Sequence, residues 1–284
     1  MPSRSISLRH GKTISLVRSS LSRETGNRCD ALTATSLGSN AHVWTAKVTP
    51  MPINHDARST PSGSPAAPTN RKAVLFDLGG VVLGSPLHAI RDYERELGFE
   101  LNAINRVAAE TAPHGAWSRL ERGEIVMEAF YTAFEADCAT AGLIMDARIM
   151  MQKMSESAEP RPAMLSAIEQ LRENGFRVGA LTNNWAHAED PERSDGTRAL
   201  RDRFDVFIES SVEGLRKPDP EIYKLACKRL GVMPTEVIFL DDIGGNLKPA
   251  KAMGMATIKV DAPELALAAL AELVAIPFDL SIEY

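Results

Sequence analysis

Cysteine is scarce in this chain. Cys29, Cys138 and Cys227 are the only three in 284 residues. They are odd in number and lack C-x-x-C spacing, so neither a disulfide framework nor a zinc site is indicated. The histidines are scattered and no H-E-x-x-H occurs. No apolar run approaches the roughly 20 residues that a membrane span needs. The longest, ELALAALAELVAI at 264–276, reads as a buried terminal helix. Positive charge is not in excess. The net charge is -5, so no global basic field invites nucleic acid, and neither nucleic acid nor membrane is expected as a partner. What is present, 44% hydrophobic and 24% charged residues, suffices for one sizeable core with room for a subdomain.

The chain divides into regions of different character. Residues 1–23 hold Arg4, Arg9, Lys12, Arg18 and Arg23, many serines and no acid before Glu24. That composition fits a mitochondrial transit peptide, with an unstructured tail on a cytoplasmic protein as the other reading. Met51 offers an internal start. Residues 56–70, DARSTPSGSPAAPTN, read as a disordered linker. Residues 1–70 are therefore expected to be a targeting or disordered segment plus linker.

From Lys72 onward, short apolar runs alternate with helical patterns. The expected strands are 73–78, 177–182, 205–210, 236–241 and 256–260, continuous runs of the kind buried on both faces of a parallel sheet. Helices are expected at 162–175 and 219–231, each opening near a proline and stopping at a glycine. This alternation predicts an α/β fold with a Rossmann-like, doubly wound parallel sheet. The connection from 79 to 176 is too long for one crossover helix. Segments 85–98, 112–123, 124–142 and 146–157 read as helices. Residues 85–157 are therefore expected to form a helical cap over the sheet's carboxyl edge, leaving 71–84 and 158–284 as the core. The methionines of IMMQKM (149–154) read as core packing first and as a substrate entrance second.

Ligands of open α/β sheets bind beyond the carboxyl ends of the strands. The first strand ends in Asp77, within LFDLGGVVL. The second ends in Thr182, followed by Asn183 and Asn184. Lys217 follows the third strand in GLRKPDP. The fourth ends in Asp241 and Asp242. Each alone is ordinary, as a turn former, a helix cap or a loop charge. Together they match one chemistry. A carboxylate attacking a phosphate dianion meets like-charge repulsion of ~4 kcal/mol per charge pair at about 4 Å and an effective dielectric of 20. A divalent cation on oxygen ligands cancels much of that repulsion, and a lysine adds positive charge.

In this order and context, Asp77, Thr182, Lys217-Pro218 and Asp241-Asp242 resemble the four motifs of the haloacid dehalogenase-like hydrolase superfamily. The resemblance covers residues 72 to about 275. Its most specific stretches are LTNNW (181–185) and RKPDPEIYKLACKRLGVMPTEVIFLDDIGGNLKPAKAMGMATI (216–258). They are similar to the amino-terminal phosphatase domain of soluble epoxide hydrolase and to the phosphatase-like domain of multidomain acyl-CoA dehydrogenase family proteins. No G-x-S-x-G elbow of an epoxide hydrolase domain occurs. The resemblance implies a first-subclass helical cap and a Mg²⁺ cofactor. It implies Asp77 as nucleophile and metal ligand, Asp242 as second ligand, Asp241 in the outer sphere, and Gly79 as a backbone carbonyl ligand. It implies that Thr182 and Asn183 bind phosphate and that Lys217 steadies Asp77 and the transferring group, with Asn246 orienting the acid pair.

One residue departs from the pattern. Most phosphatases of the superfamily carry a second aspartate where this chain has Gly79, and that acid protonates the leaving oxygen. Its loss removes roughly 10²–10⁴-fold of general acid–base catalysis. The expected function is nonetheless a phosphatase acting on a small phosphorylated metabolite through an aspartyl-phosphate. Glu121, Glu124, His88 or His114 would replace the acid, or the substrate's leaving group would need none. Two other readings stay open: a non-catalytic or regulatory domain, and a 2-haloacid dehalogenase, against which the Asp241–Asp242 pair counts. A homodimer through the cap is compatible with the sequence.

Overall fold

The computed structural model describes residues 5–8, 12–15, 70–185 and 198–279. They belong to two compact units, Met1–Ser62 and Gly63–Tyr284. In the first unit, β1 (Ser5–Leu8) and β2 (Lys12–Ser15) pair antiparallel, with Ser5 opposite Ser15. The linker reading of 56–70 falls, except for Asn70, outside the described residues.

The second unit is built on β3 (Ala73–Phe76), β4 (Arg177–Thr182), β5 (Val206–Glu209), β6 (Val237–Asp241) and β7 (Ala256–Lys259). They form one sheet in the order β5-β4-β3-β6-β7, every neighbour parallel. All five lie inside the predicted strands. The chain leaves β3 toward β4 on one side and returns to β6 on the other. The strand order therefore reverses at the carboxyl end of β3, where open sheets bind ligands.

Side chains alternate across the sheet, as the pleat requires. Val74, Phe76, Val178, Ala180, Ile238 and Leu240 bury one face under α6 (Pro162–Glu173) and α10 (Pro263–Val274). Ala73, Leu75, Leu181 and Phe239 bury the other under α8 (Pro220–Leu230) and α9 (Gly244–Ala252), which follow the short α7 (Ser210–Glu213). Because both faces are covered, the strands read as unbroken apolar runs.

Between β3 and α6 the chain forms an insert of five α-helices: α1 (Pro86–Leu97), α2 (Ala103–Glu110), α3 (Ala116–Glu121), α4 (Met127–Thr140) and α5 (Ala147–Glu156). They have an apolar cluster of their own around Ile90, Phe130, Phe134 and Met150. Helix α3 starts at Ala116, four residues later than the sequence pattern suggested. Helix α2 was not expected at all. Its cap comes from Glu94, whose buried carboxylate accepts from the backbone N–H of Asn102 at 2.6 Å and of Ile104 at 2.8 Å. A cap donated from the preceding helix leaves no local signature of the usual kind.

Two chain segments tie this insert to the sheet. Leu83 bridges to Pro160, and Gly84 donates to the Glu159 carbonyl at 2.9 Å. Gly84 is needed for close approach, since a Cβ there would stand 2.0 Å from the Ser157 carbonyl oxygen.

Candidate active site

Register places the acids. Phe76 pairs with Leu240, and the Asp77 N–H donates to the Leu240 carbonyl at 2.9 Å. Asp77 and Asp241 therefore emerge side by side at the carboxyl ends of β3 and β6. Lys217 lies between them. Its Nζ is 2.8 Å from Asp77 Oδ1 and 2.8 Å from Asp241 Oδ2. Asp241 is pinned further by Asn246 Nδ2, 3.1 Å from both carboxylate oxygens, and by the Ile243 N–H at 2.7 Å. Of the acid pair that Asn246 is expected to orient, its side chain holds Asp241. Asp242 is held more loosely, with a long contact of 3.4 Å from Ser85 Oγ.

The turn after Asp77 shapes the space for Asp242. Gly80 has φ of +77°, and a Cβ there would fall 2.1 Å from Asp242 Oδ2. The glycine is required twice over, by its backbone and by its neighbour. Gly79 differs. Its φ of -63° suits any residue, and a Cβ would only touch the Pro86 ring at 3.4 Å.

Three carboxylates, Asp77, Asp241 and Asp242, each offer an oxygen within 4.8 Å of the others. One buried lysine opposes them. Burial pushes Asp77 well above the usual carboxylate range, partly offset by Lys217 and reinforced by Asp241 and Asp242. Asp242 is raised to about 6, by burial first and then by Asp241. Burial works against the Lys217 charge too, but Asp241 and Asp77 outweigh it and hold the ammonium above its ordinary value. A site with this charge imbalance and only oxygen donors fits a hard divalent cation. The lysine also supports the fold. Lys217→Met is expected to destabilise the protein by about 3–5 kcal/mol, the cost of leaving buried carboxylates without their partner. Urea unfolding in EDTA measures this. A loss under about 1 kcal/mol would mean the acids are already neutral in the folded state.

Thr182 ends β4, is buried, and lines the cavity beside Asp77 and Lys217. Asn183 reaches the same place with its side chain already engaged. Its Oδ1 accepts from the Lys217 N–H at 2.8 Å and its Nδ2 donates to the Lys217 carbonyl at 3.0 Å. It clamps the lysine loop. Asn184 braces the adjacent turn, its Nδ2 donating to Glu209 at 2.9 Å. Of the four groups suggested to replace the missing acid, His88, His114 and Glu124 are exposed and do not line the cavity. Glu124 is tied to Arg122. Glu121 lines the cavity and is buried, but it is bonded to Arg216.

The sheet edge and the helical insert line a cavity of about 1350 Å³. Asp77, Thr182, Lys217 and Asp242 form its floor. Leu87, Ile90, Trp117, Met127, Met151 and Met154 contribute an apolar wall. In the methionine segment, Met150, Met151 and Met154 pack the insert's core, and the last two also line the cavity.

Residues 71–254 match the family model of haloacid dehalogenase-like hydrolases. Acyl-CoA dehydrogenase family member 10 of Mus musculus is 36% identical over 74% of this chain and 20% of its own length. Bifunctional epoxide hydrolase 2 of Sus scrofa is 36% identical over 69% of this chain and 37% of its own. The chain thus spans well under half the length of these two relatives. A sesquiterpene phosphatase of Aspergillus oryzae is 29% identical over 66% of this chain and 88% of its own. Among solved structures, a hydrolase of the same fold from Porphyromonas gingivalis superposes with a TM-score of 0.54. It has 23% identity and covers 73% of this chain and 99% of its own.

Proposed function

The chain belongs to the haloacid dehalogenase-like hydrolases, and from that premise we propose that it is a Mg²⁺-dependent phosphatase of small phosphorylated metabolites. The observation that carries this reading is the line Asp77–Lys217–Asp241 with Asp242 alongside, at the floor of a large cavity. A relative named as a phosphatase along most of its length adds support.

Asp77 and Asp242, with the Gly79 carbonyl, would hold Mg²⁺ directly, and Asp241 would hold it through water. When bound, the ion supplies charge that offsets repulsion between carboxylate and phosphate dianion. Leu78 N–H and Lys217 both hold Asp77 Oδ1, which leaves Oδ2 to attack. A bond forms from Oδ2 to phosphorus while the ester P–O bond breaks, and the leaving oxygen keeps the electron pair. Lys217 and the Thr182 hydroxyl take up charge on the phosphoryl group. Water then attacks the aspartyl-phosphate, releasing inorganic phosphate and restoring Asp77. No carboxyl at position 79 serves the leaving oxygen, so its proton comes from solvent. That favours substrates whose leaving groups need little help, such as acyl phosphates.

Gly79 also favours a second reading, a domain that binds phosphate without turning it over. Release of p-nitrophenol from its phosphate separates the two. The phosphatase reading expects release that depends on Mg²⁺ and stops with EDTA. No turnover on aryl, alkyl or acyl phosphates, with Mg²⁺ still bound, would leave the second reading in place.

A further inference from the structure

Helix α3 of the insert ends against the loop that carries Lys217, and the contact is polar and partly buried. Glu121, 6% exposed, accepts at both carboxylate oxygens. Trp117 Nε1 donates to Oε1 at 2.9 Å, and Arg216 Nε donates to Oε2 at 2.5 Å. Asn183 Nδ2 approaches the same Oε2 at 3.4 Å. Both core partners lead to Lys217. Arg216 precedes it in the chain, and the Asn183 amide brackets its backbone at 2.8 and 3.0 Å. Two more contacts lie on this seam. The Trp117 ring meets Trp185 edge-on at 6.3 Å. Gly123, with φ of +68°, passes so near Ser211 that a Cβ would stand 2.4 Å from its carbonyl oxygen.

We propose that Glu121 and Arg216 form a clasp between the helical insert and the sheet, and that closing it positions Lys217 against Asp77. They are positioning residues. Glu121 touches no reacting atom, and with both oxygens engaged it is not the leaving group's proton donor. The insert is hinged at Leu83–Pro160 and latched at α3, so the lysine is aligned only when the roof is shut. The assignment of Lys217 rests on the phosphatase reading; the clasp itself does not.

A mutant cycle tests this in the full chain. Arg216→Gln and Glu121→Gln are each expected to lower kcat by about 10- to 100-fold, the scale of a misplaced catalytic group. The double variant should stay within about two-fold of the singles, since one contact is lost either way. The loss should be equal for p-nitrophenyl and phenyl phosphate. Acrylamide quenching of tryptophan should rise in all three as the Trp117–Trp185 contact opens. Multiplying losses would overturn the clasp, as would unchanged kcat and quenching. A loss in Glu121→Gln alone that grows with leaving-group basicity would make Glu121 a proton donor instead. If the glutamine variants fail to fold, Arg216→Lys and Glu121→Asp keep the charges and run the same cycle. Quenching needs no turnover, so an inert wild type would sink the phosphatase reading and leave the clasp to stand or fall on quenching alone.

Discussion

Asp77→Asn is expected to lose hydrolysis of p-nitrophenyl phosphate by about 10⁴-fold or more, the scale of removing a nucleophile or its essential partner, and to melt no lower than the wild type in EDTA. The two halves have one cause. Asp77 is buried beside Asp241 and Asp242, with Lys217 as the opposing charge. Burial raises its pKa, so its ionised form costs folding energy when no cation is bound. Asparagine keeps the shape and can still accept from the Leu78 N–H, 2.7 Å away in the wild type. It removes a charge that the fold holds at a cost and that, in the proposed mechanism, attacks phosphorus. The sign of the pH effect follows. A carboxyl raised on folding binds more protons folded than unfolded, so stability falls as pH rises through that window. For Asp242 the window runs from its ordinary 3.8 to about 6. In EDTA the wild type should therefore lose melting temperature across that range, and Asp77→Asn should lose less. With Mg²⁺ the order at neutral pH should reverse, because the wild type gains more from the ion. Thermal melts with and without Mg²⁺ check this. A variant that hydrolyses at the wild-type rate would remove Asp77 from the mechanism, whatever its stability.

The strand ends were legible because a parallel sheet writes its active edge into the sequence. Each apolar run stops where its backbone leaves the core, so Asp77, Thr182 and Asp241 could be placed from the runs alone. Lys217 and Asp242 followed from their position in the loops after those ends. What stayed hidden depends on contacts between distant segments. Asn183, expected on phosphate, also holds the Lys217 backbone with its side chain, a pairing across 34 positions. Arg216 went unnoticed because a loop arginine has no signature until Glu121, 95 residues earlier, is brought against it. Helix α9 was missed for another reason. GGNLKPAKA contains two glycines and a proline, a poor helix former by propensity, and it is held by packing Leu247 and Ala250 under the sheet. The replacement-acid candidates His88, His114 and Glu124 could not be sorted from Glu121 by sequence, since burial separates them.

Gly79→Asp is expected to fold and to raise kcat/KM for an alkyl phosphate by about 10²–10⁴-fold, the worth of a general acid, with little change for an acyl phosphate. Space permits it. The backbone at 79 has φ of -63° and ψ of 126°, and the nearest contact of a new Cβ is the Pro86 ring at 3.4 Å. The neighbouring glycine shows what a prohibited position looks like. Gly80→Ala would combine a φ of +77° with a Cβ 2.1 Å from Asp242 Oδ2, costing about 1–3 kcal/mol in backbone strain alone and displacing an acid of the site. Gly79 is therefore not a glycine because the turn demands one. Under the proposed phosphatase reading its effect is chemical: the site keeps its carboxylates and lysine and lacks a carboxyl at 79 to donate a proton. A carboxyl at 79 adds negative charge beside Asp77 and Asp242, so the assay must be run with saturating Mg²⁺ to keep electrostatics from masking proton transfer. The ratio of alkyl to acyl phosphate turnover is the deciding quantity, because a leaving carboxylate needs no proton. A rise in that ratio would show that the missing acid limits this enzyme on alkyl esters. An unchanged ratio would show that the leaving group already finds its proton elsewhere, and that Gly79 costs the reaction nothing.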